Sequence, residues 1–137
     1  MKIISVIFSS MLISFFIQPK TGSITVTSFV KIKNNRQREA LYYFENNWKV
    51  LRDIAVSKGF IKSYKLLLNQ EDPATNFNLI LMTEYADSSQ YNLSEERFQK
   101  IIKETRPDGP LFLNELNRND FIESDFTKKS TTLFSSE

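Results

Sequence analysis

The side chains that could do chemistry in this chain are carboxylates, lysines, tyrosines and hydroxyl groups, because its 137 residues include no Cys and no His. The missing thiol excludes disulfides, thiol nucleophiles, iron–sulfur clusters and zinc sites built on Cys. The missing imidazole removes the usual general base, the usual haem ligand and the commonest metal ligand. We therefore predict no bound metal and no cofactor, so that any reaction would depend on the remaining side chains or on the substrate's own reactivity.

One group of residues could have shifted pKa values. Lys62 and Tyr64 share a face of a predicted strand, and Tyr85 lies on the neighbouring strand. A lysine beside two phenols in a partly enclosed space could act as an acid–base pair with shifted pKa values or hold an anion. The alternative is a lysine at the rim beside two packing tyrosines. Glu84 is a lone carboxylate without an obvious partner, so no catalytic constellation is visible.

Asn47 and Trp48 lie on a predicted helix. From Arg36 to Gly59 the apolar residues recur every three or four positions, which predicts an amphipathic helix that the glycine ends; its stripe is Leu41, Phe44, Trp48, Leu51 and Ala55. Trp48 would pack in the core or an interface, or else form the wall of a site for a planar ligand. The amide of Asn47, beside that stripe, would contact a backbone carbonyl or face a ligand.

The remaining elements follow from periodicity. Alternation over residues 24–33 predicts a strand, and residues 60–69 and 77–85 predict a hairpin across a turn cluster. Ser94 would cap a second helix that stops near Pro107, residues 111–116 could form one helical turn, and residues 120–127 would form a fourth strand. This order predicts an α+β class, ferredoxin-like βαββαβ fold with a four-stranded antiparallel sheet.

An uncharged apolar stretch over residues 3–17 follows Lys2. It matches the core of a signal peptide and is shorter than the roughly 20 residues of a membrane-spanning helix. We predict a signal peptide over residues 1–23, a single domain over 24–127 and a flexible C-terminal tail over 128–137. The protein would be exported, to the periplasm or outside the cell, and would meet a membrane only if the leader stayed uncleaved.

Cleavage between Gln18 and Ile24 is a testable expectation of that leader. The best small-residue pattern is Thr21-Gly22-Ser23, although Lys20 disfavours it. N-terminal sequencing of the protein from its native host should find a start inside this window. An intact Met1 in the membrane fraction would contradict cleavage.

Charge argues against nucleic acid as a partner. The chain has 18 basic and 16 acidic residues, and Lys2 and Lys20 belong to the predicted leader, so the mature chain would be neutral. Binding to phosphates depends on clustered Lys and Arg, which this chain lacks beyond doublets.

The predicted sheet has too much apolar surface for its own two helices. One face of the hairpin carries Tyr64, Leu66 and Leu68 with Leu79, Leu81 and Tyr85, and the other carries Leu67, Ile80 and Met82. Two helices on one side leave the second apolar face bare. A second copy of the chain is the simplest cover, which predicts a homodimer.

Four stretches, residues 43–48, 59–64, 79–85 and 106–110, resemble the dimeric α+β barrel superfamily, in particular small exported bacterial members of unassigned function. In that superfamily two ferredoxin-like subunits face their sheets inward around a shared barrel. Its members include haem-degrading enzymes, cofactor-free monooxygenases, dehydratases and stress-induced proteins, so the resemblance specifies architecture better than activity.

The resemblance also implies a site. The haem-dependent branches use a His ligand that this chain lacks, whereas cofactor-free oxygenases of this fold use a pocket between helix and sheet. By analogy that pocket would be lined by Asn47, Trp48, Tyr64 and Tyr85. Two functions remain: a non-catalytic homodimer that binds a small apolar or aromatic molecule, which we favour, and a cofactor-independent monooxygenase acting on a quinol-type substrate.

Overall fold

The computed structural model describes residues 22–33, 35–70 and 75–136. Apart from Gly22 and Ser23, the predicted signal peptide lies outside the described residues. The elements are β1 Ile24–Ile32, α1 Gln37–Tyr43, a π-helical segment Phe44–Lys49, α2 Val50–Ser57, β2 Ser63–Leu68, β3 Leu79–Tyr85, α3 Ser88–Asn92, α4 Ser94–Thr105, α5 Arg118–Phe121 and β4 Ile122–Thr131. Within these ranges, no helix is both long and apolar enough to cross a membrane.

The four strands form one antiparallel sheet in the order β2-β3-β1-β4. The central pair is held in a register that places Ile24 opposite Tyr85 and Val30 opposite Leu79. Along β3 the residues alternate between buried and half-buried, because successive side chains point to opposite faces of a sheet. The predicted α+β class and βαββαβ order are confirmed.

One face of the sheet is covered by α4 and by the continuous helix of residues 37–57, here called the first helix. The buried core beneath them forms two clusters, one of Val30, Ala40, Phe44, Leu79, Leu81, Phe121 and Ile122 and one of Ile24, Ala55, Ile61, Tyr85 and Ile101. The first helix ends as predicted at Gly59, whose φ of +66° suits a residue without Cβ. There Phe60 N donates to Ala55 O at 2.8 Å, which closes the last turn.

The opposite side of the sheet, here called the open face, has an apolar centre. Its aromatic members are in contact: the Phe29 ring stacks on that of Phe126, with centroids 4.9 Å apart, and meets that of Phe77 edge-on, with centroids 5.0 Å apart. Ile80 and Met82 also point this way, because they alternate with the buried residues of β3. Phe77 precedes β3 and contacts Phe29 on the open face as well.

Three details after residue 87 differ from expectation. Ser94 caps no helix: α3 starts first, and the Asp87 side chain accepts a hydrogen bond from Gln90 N at 2.8 Å. Residues 111–116 form no helical turn. β4 runs through Thr131, which pairs with Ile24, so residues 128–131 belong to the sheet and not to the predicted tail. The pairing of β1 with β4 explains this, because β1 still offers backbone partners at its first residues.

Candidate functional site

A cavity of about 450 Å³ lies between the first helix and the sheet. Known sites for small molecules span about 300–1,000 Å³, so the space suits a small ligand. Most of its wall is apolar, contributed by Val30, Phe44, Trp48, Leu51, Leu81 and Ile102. Ser28 of β1 lies on the sheet side, and Gly109 and Pro110, from the segment after α4, border the cavity as well.

The helical wall of this cavity includes the π-helical segment Phe44–Lys49. Two side-chain amides support it, since Asn46 Nδ2 donates to Tyr42 O and Asn47 Nδ2 donates to Tyr43 O, each at 2.8 Å. These are carbonyls four residues back, the normal acceptors of an α-helix, so the amides compete with regular backbone pairing. The irregular turn follows from two adjacent Asn residues inside a helix, and such turns are frequent at functional sites.

Asn47 is buried at 5% exposure, and all its polar atoms are bonded. Besides Tyr43 O, its Nδ2 donates to Leu111 O at 2.8 Å, and its Oδ1 accepts from Leu111 N at 2.7 Å and from Arg106 Nε at 3.4 Å. One side chain thus holds both backbone groups of Leu111. Asn47 borders the cavity, and its amide fastens the segment after α4 to the first helix.

Trp48 forms part of the cavity wall and is half-buried. The rings of Trp48 and Tyr64 meet edge to face, with their centroids 5.5 Å apart. The guanidinium carbon of Arg52 lies 4.5 Å from the Trp48 ring centroid. Trp48 therefore presents an aromatic wall whose orientation is fixed by its neighbours.

Tyr64 stands behind Trp48 and does not line the cavity. Its hydroxyl donates to Asp53, whose other oxygen accepts from Lys49 Nζ at 2.7 Å. The bond to Asp53 raises the pKa of Tyr64, and the bonds from Lys49 and Tyr64 lower the pKa of Asp53. Tyr64 thus stays protonated at neutral pH and acts as a donor in a surface network.

Tyr85 also lies outside the cavity wall, at 5% exposure in the second core cluster. Its ring meets that of Tyr91 edge-on, with centroids 5.4 Å apart, and burial raises its pKa. Lys62 Nζ donates to Glu84 at 3.0 Å. Among the described residues, Lys62, Tyr64 and Tyr85 therefore contact different partners, and these contacts do not join them into an acid–base group.

The sequence reasoning missed Arg52, which lines the cavity from the first helix. Its guanidinium lies between two rings, 4.5 Å from the centroid of Trp48 and 4.5 Å from that of Phe98. Nε lies 3.5 Å from Thr83 Oγ1, and no carboxylate of the described residues forms an ion pair with it. Burial lowers the pKa of Arg52 to about 10, so it remains charged at neutral pH. Its position four residues after Trp48, beside the apolar stripe, was the available signal.

Two further arginines border the cavity, and each has polar partners of its own. Arg106 donates to Asn46 O at 2.5 Å, Thr105 O at 2.9 Å and Asn47 Oδ1 at 3.4 Å. Arg118 Nη2 forms an ion pair with Asp125 Oδ2 at 2.5 Å. Three arginines and one aspartate give the lining a net charge of +2.

Solved structures with the same architecture support the assignment of the fold. A DABB-family protein with a ferredoxin-like fold from Mesorhizobium loti is 16% identical and aligns with a TM-score of 0.54 over 82% of this chain and 99% of its own. The fold is ferredoxin-like. A dimeric ferredoxin-like protein from an uncultured marine organism gives 12% identity and a TM-score of 0.54 over 84% and 90% of the two chains.

A third structure, an uncharacterized NIPSNAP-like domain protein from Burkholderia xenovorans, is 13% identical with a TM-score of 0.51 over 85% of this chain and 91% of its own. No protein-family model matches the sequence, and no curated protein matches it either. The predicted resemblance to dimeric α+β barrel proteins is confirmed in the fold. Sequence identities this low do not allow the activity of a similar protein to be assigned to this chain.

Proposed function

We propose that this protein is an exported homodimer that binds a small apolar or aromatic molecule in the cavity between the first helix and the sheet. The observation that carries this is the cavity itself, about 450 Å³ with walls that are mostly apolar and include Trp48. A ligand-sized apolar space beside a few placed polar groups is the usual form of a binding site. Of the four residues predicted from sequence, Asn47 and Trp48 border the space, and Tyr64 supports Trp48 from behind.

The open face supports the homodimer. Phe126 on β4 is 50% exposed and Leu67 on β2 is 42% exposed, and both lie in one apolar row across the open face with Phe29 and Ile80. Contact of such an apolar patch with water is unfavourable in free energy. A second copy of the chain can cover the patch with the same surface of its own. The marine protein that shares this fold is described as dimeric.

The lining favours binding over catalysis. Asp125 is the one carboxylate among the residues that line the cavity, and it is held by Arg118. The described part of the lining therefore offers no pair of carboxylates for general acid–base catalysis. Oxygen uptake on addition of a quinol would contradict this preference in favour of the monooxygenase alternative.

Filling the cavity should weaken binding of a ligand there. Ser28→Leu places extra apolar bulk in the space, so the neutral fluorescent probe N-phenyl-1-naphthylamine is expected to bind at least about tenfold more weakly than to the wild type. Binding is followed by probe emission and by quenching of Trp48, which is the sole Trp of the chain.

Thr127→Val is the matched control, because Ser28 Oγ and Thr127 Oγ1 lie 2.8 Å apart and share one hydrogen bond. That variant loses the same bond without filling the cavity, since Thr127 does not line it. It should bind the probe as the wild type does. Equal binding by all three proteins would show that the probe sits elsewhere.

A further inference from the structure

Arg52 is a half-buried cation at the edge of an apolar cavity. Taking a guanidinium out of water costs several kcal/mol unless other groups compensate. The two rings of Trp48 and Phe98 compensate in part, through cation–π contacts on both sides. The described residues provide no carboxylate for it. The positive charge of Arg52 therefore has no anionic partner among the described residues.

The other two arginines of the cavity differ in this respect. Arg118 is neutralised by Asp125, and Arg106 is bound by two carbonyls and an amide oxygen. Within the described part of the chain, the one hydrogen bond of Arg52 is the long contact from Nε to Thr83 Oγ1 at 3.5 Å. Its Nη groups are thus available to an incoming acceptor.

We infer that the molecule bound in the cavity is an organic anion with a planar apolar body, whose carboxylate accepts hydrogen bonds from Arg52. The inference rests on the proposed function and adds the chemical class of the ligand. A guanidinium offers a planar fork that matches a carboxylate with two parallel hydrogen bonds. The stacked rings fix the plane of that fork in advance, so little side-chain entropy is lost on binding.

The position of Arg52 also explains why the apolar part of the ligand should be planar. Trp48 contacts Arg52 and lines the cavity at the same time. A ligand whose carboxylate meets Arg52 would lie along the ring of Trp48, where a flat aromatic body makes the largest contact. The net charge of +2 on the lining strengthens the preference for an anion.

The test compares two probes that differ by one group. 1-Anilinonaphthalene-8-sulfonate carries the ring system of N-phenyl-1-naphthylamine plus a sulfonate, which stands in for the carboxylate. The wild type should bind the anionic probe at least about tenfold more tightly than the neutral one. In Arg52→Met that preference should vanish while the neutral probe binds as before, and Arg52→Lys should keep part of it.

Arg97→Met is the control, because the Arg97 guanidinium also lies over a ring, 4.6 Å from the Phe60 centroid, but does not line the cavity. It should retain the wild-type preference. Equal affinity of the two probes for the wild type, or an unchanged preference in Arg52→Met, would overturn the inference while leaving the cavity as a binding site. If neither probe binds the wild type, the proposed function fails as well.

A third measurement separates aromatic from aliphatic acids. 1-Naphthoate should displace the anionic probe from the wild type at lower concentration than decanoate does, because the Trp48 ring favours a flat body. Equal or better displacement by decanoate would overturn the planar part of the inference. Should Arg52→Met fail to fold, the comparison of the two probes on the wild type and on Arg52→Lys still decides the anionic part.

Discussion

Ile80→Asp is expected to convert the protein from a dimer into a folded monomer. Ile80 points to the open face, where its strand neighbours are Phe29 on β1 and Leu67 on β2. In a symmetric dimer the new carboxylate would be buried twice without a partner, which costs several kcal/mol. The dissociation constant should therefore rise at least about 100-fold, which sedimentation velocity at micromolar concentration will detect.

Val56→Asp makes the same kind of change on another surface. Val56 lies on α2 and is 41% exposed, so its replacement should leave the dimer intact. A wild-type protein that sediments as a monomer at micromolar concentration would refute the homodimer. So would a dimer that persists in Ile80→Asp.

Asn47→Leu should lower the free energy of unfolding by about 2–4 kcal/mol. Leucine keeps similar bulk but removes the amide that bonds Tyr43 O, Arg106 Nε and both backbone groups of Leu111. Buried backbone groups left without partners cost more than the average hydrogen bond gains. Urea unfolding, compared at constant m-value, measures the loss.

The neighbouring Asn46→Leu is its control. Asn46 is half-buried, and its side chain makes one hydrogen bond, to Tyr42 O. Its main-chain oxygen, which accepts from Arg106, remains in the variant. The expected loss is about 1 kcal/mol or less. If the two variants lose the same stability, Asn47 does not hold the segment after α4 in the way described.

The backbone was predictable wherever local periodicity decides it. The strand alternation of β1 and β3 was visible because one face is buried, and a shift of one residue would have turned every apolar side chain outward. Gly59 marked the helix end because left-handed geometry suits glycine. β4 was predicted too short because its last residues are polar, and only pairing with β1 keeps them in the sheet.

The site depended on contacts that no local pattern contains. Asn47 forms hydrogen bonds with Leu111, which lies 64 positions further along the chain. Its role in holding that segment could therefore not be predicted from the helical pattern alone. The partners of the two tyrosines, Asp53 for Tyr64 and Tyr91 for Tyr85, lie on helices, and the strand pattern that placed Tyr64 and Tyr85 side by side contains no information about them. Arg52 does not stand out in the sequence, because only the packing of Phe98 from α4 places its guanidinium between two rings.

The sheet separates the cavity from the open face, with Ser28 on the cavity side and its neighbour Phe29 on the other. Two chains that pair through their open faces would therefore carry their cavities on opposite outer sides, with two sheet layers about 10 Å apart between them. Neither ligand would contact the partner chain. Such a dimer would take up two molecules without direct communication between them, so occupancy of one cavity would leave the affinity of the other unchanged, and saturation would follow a simple hyperbola.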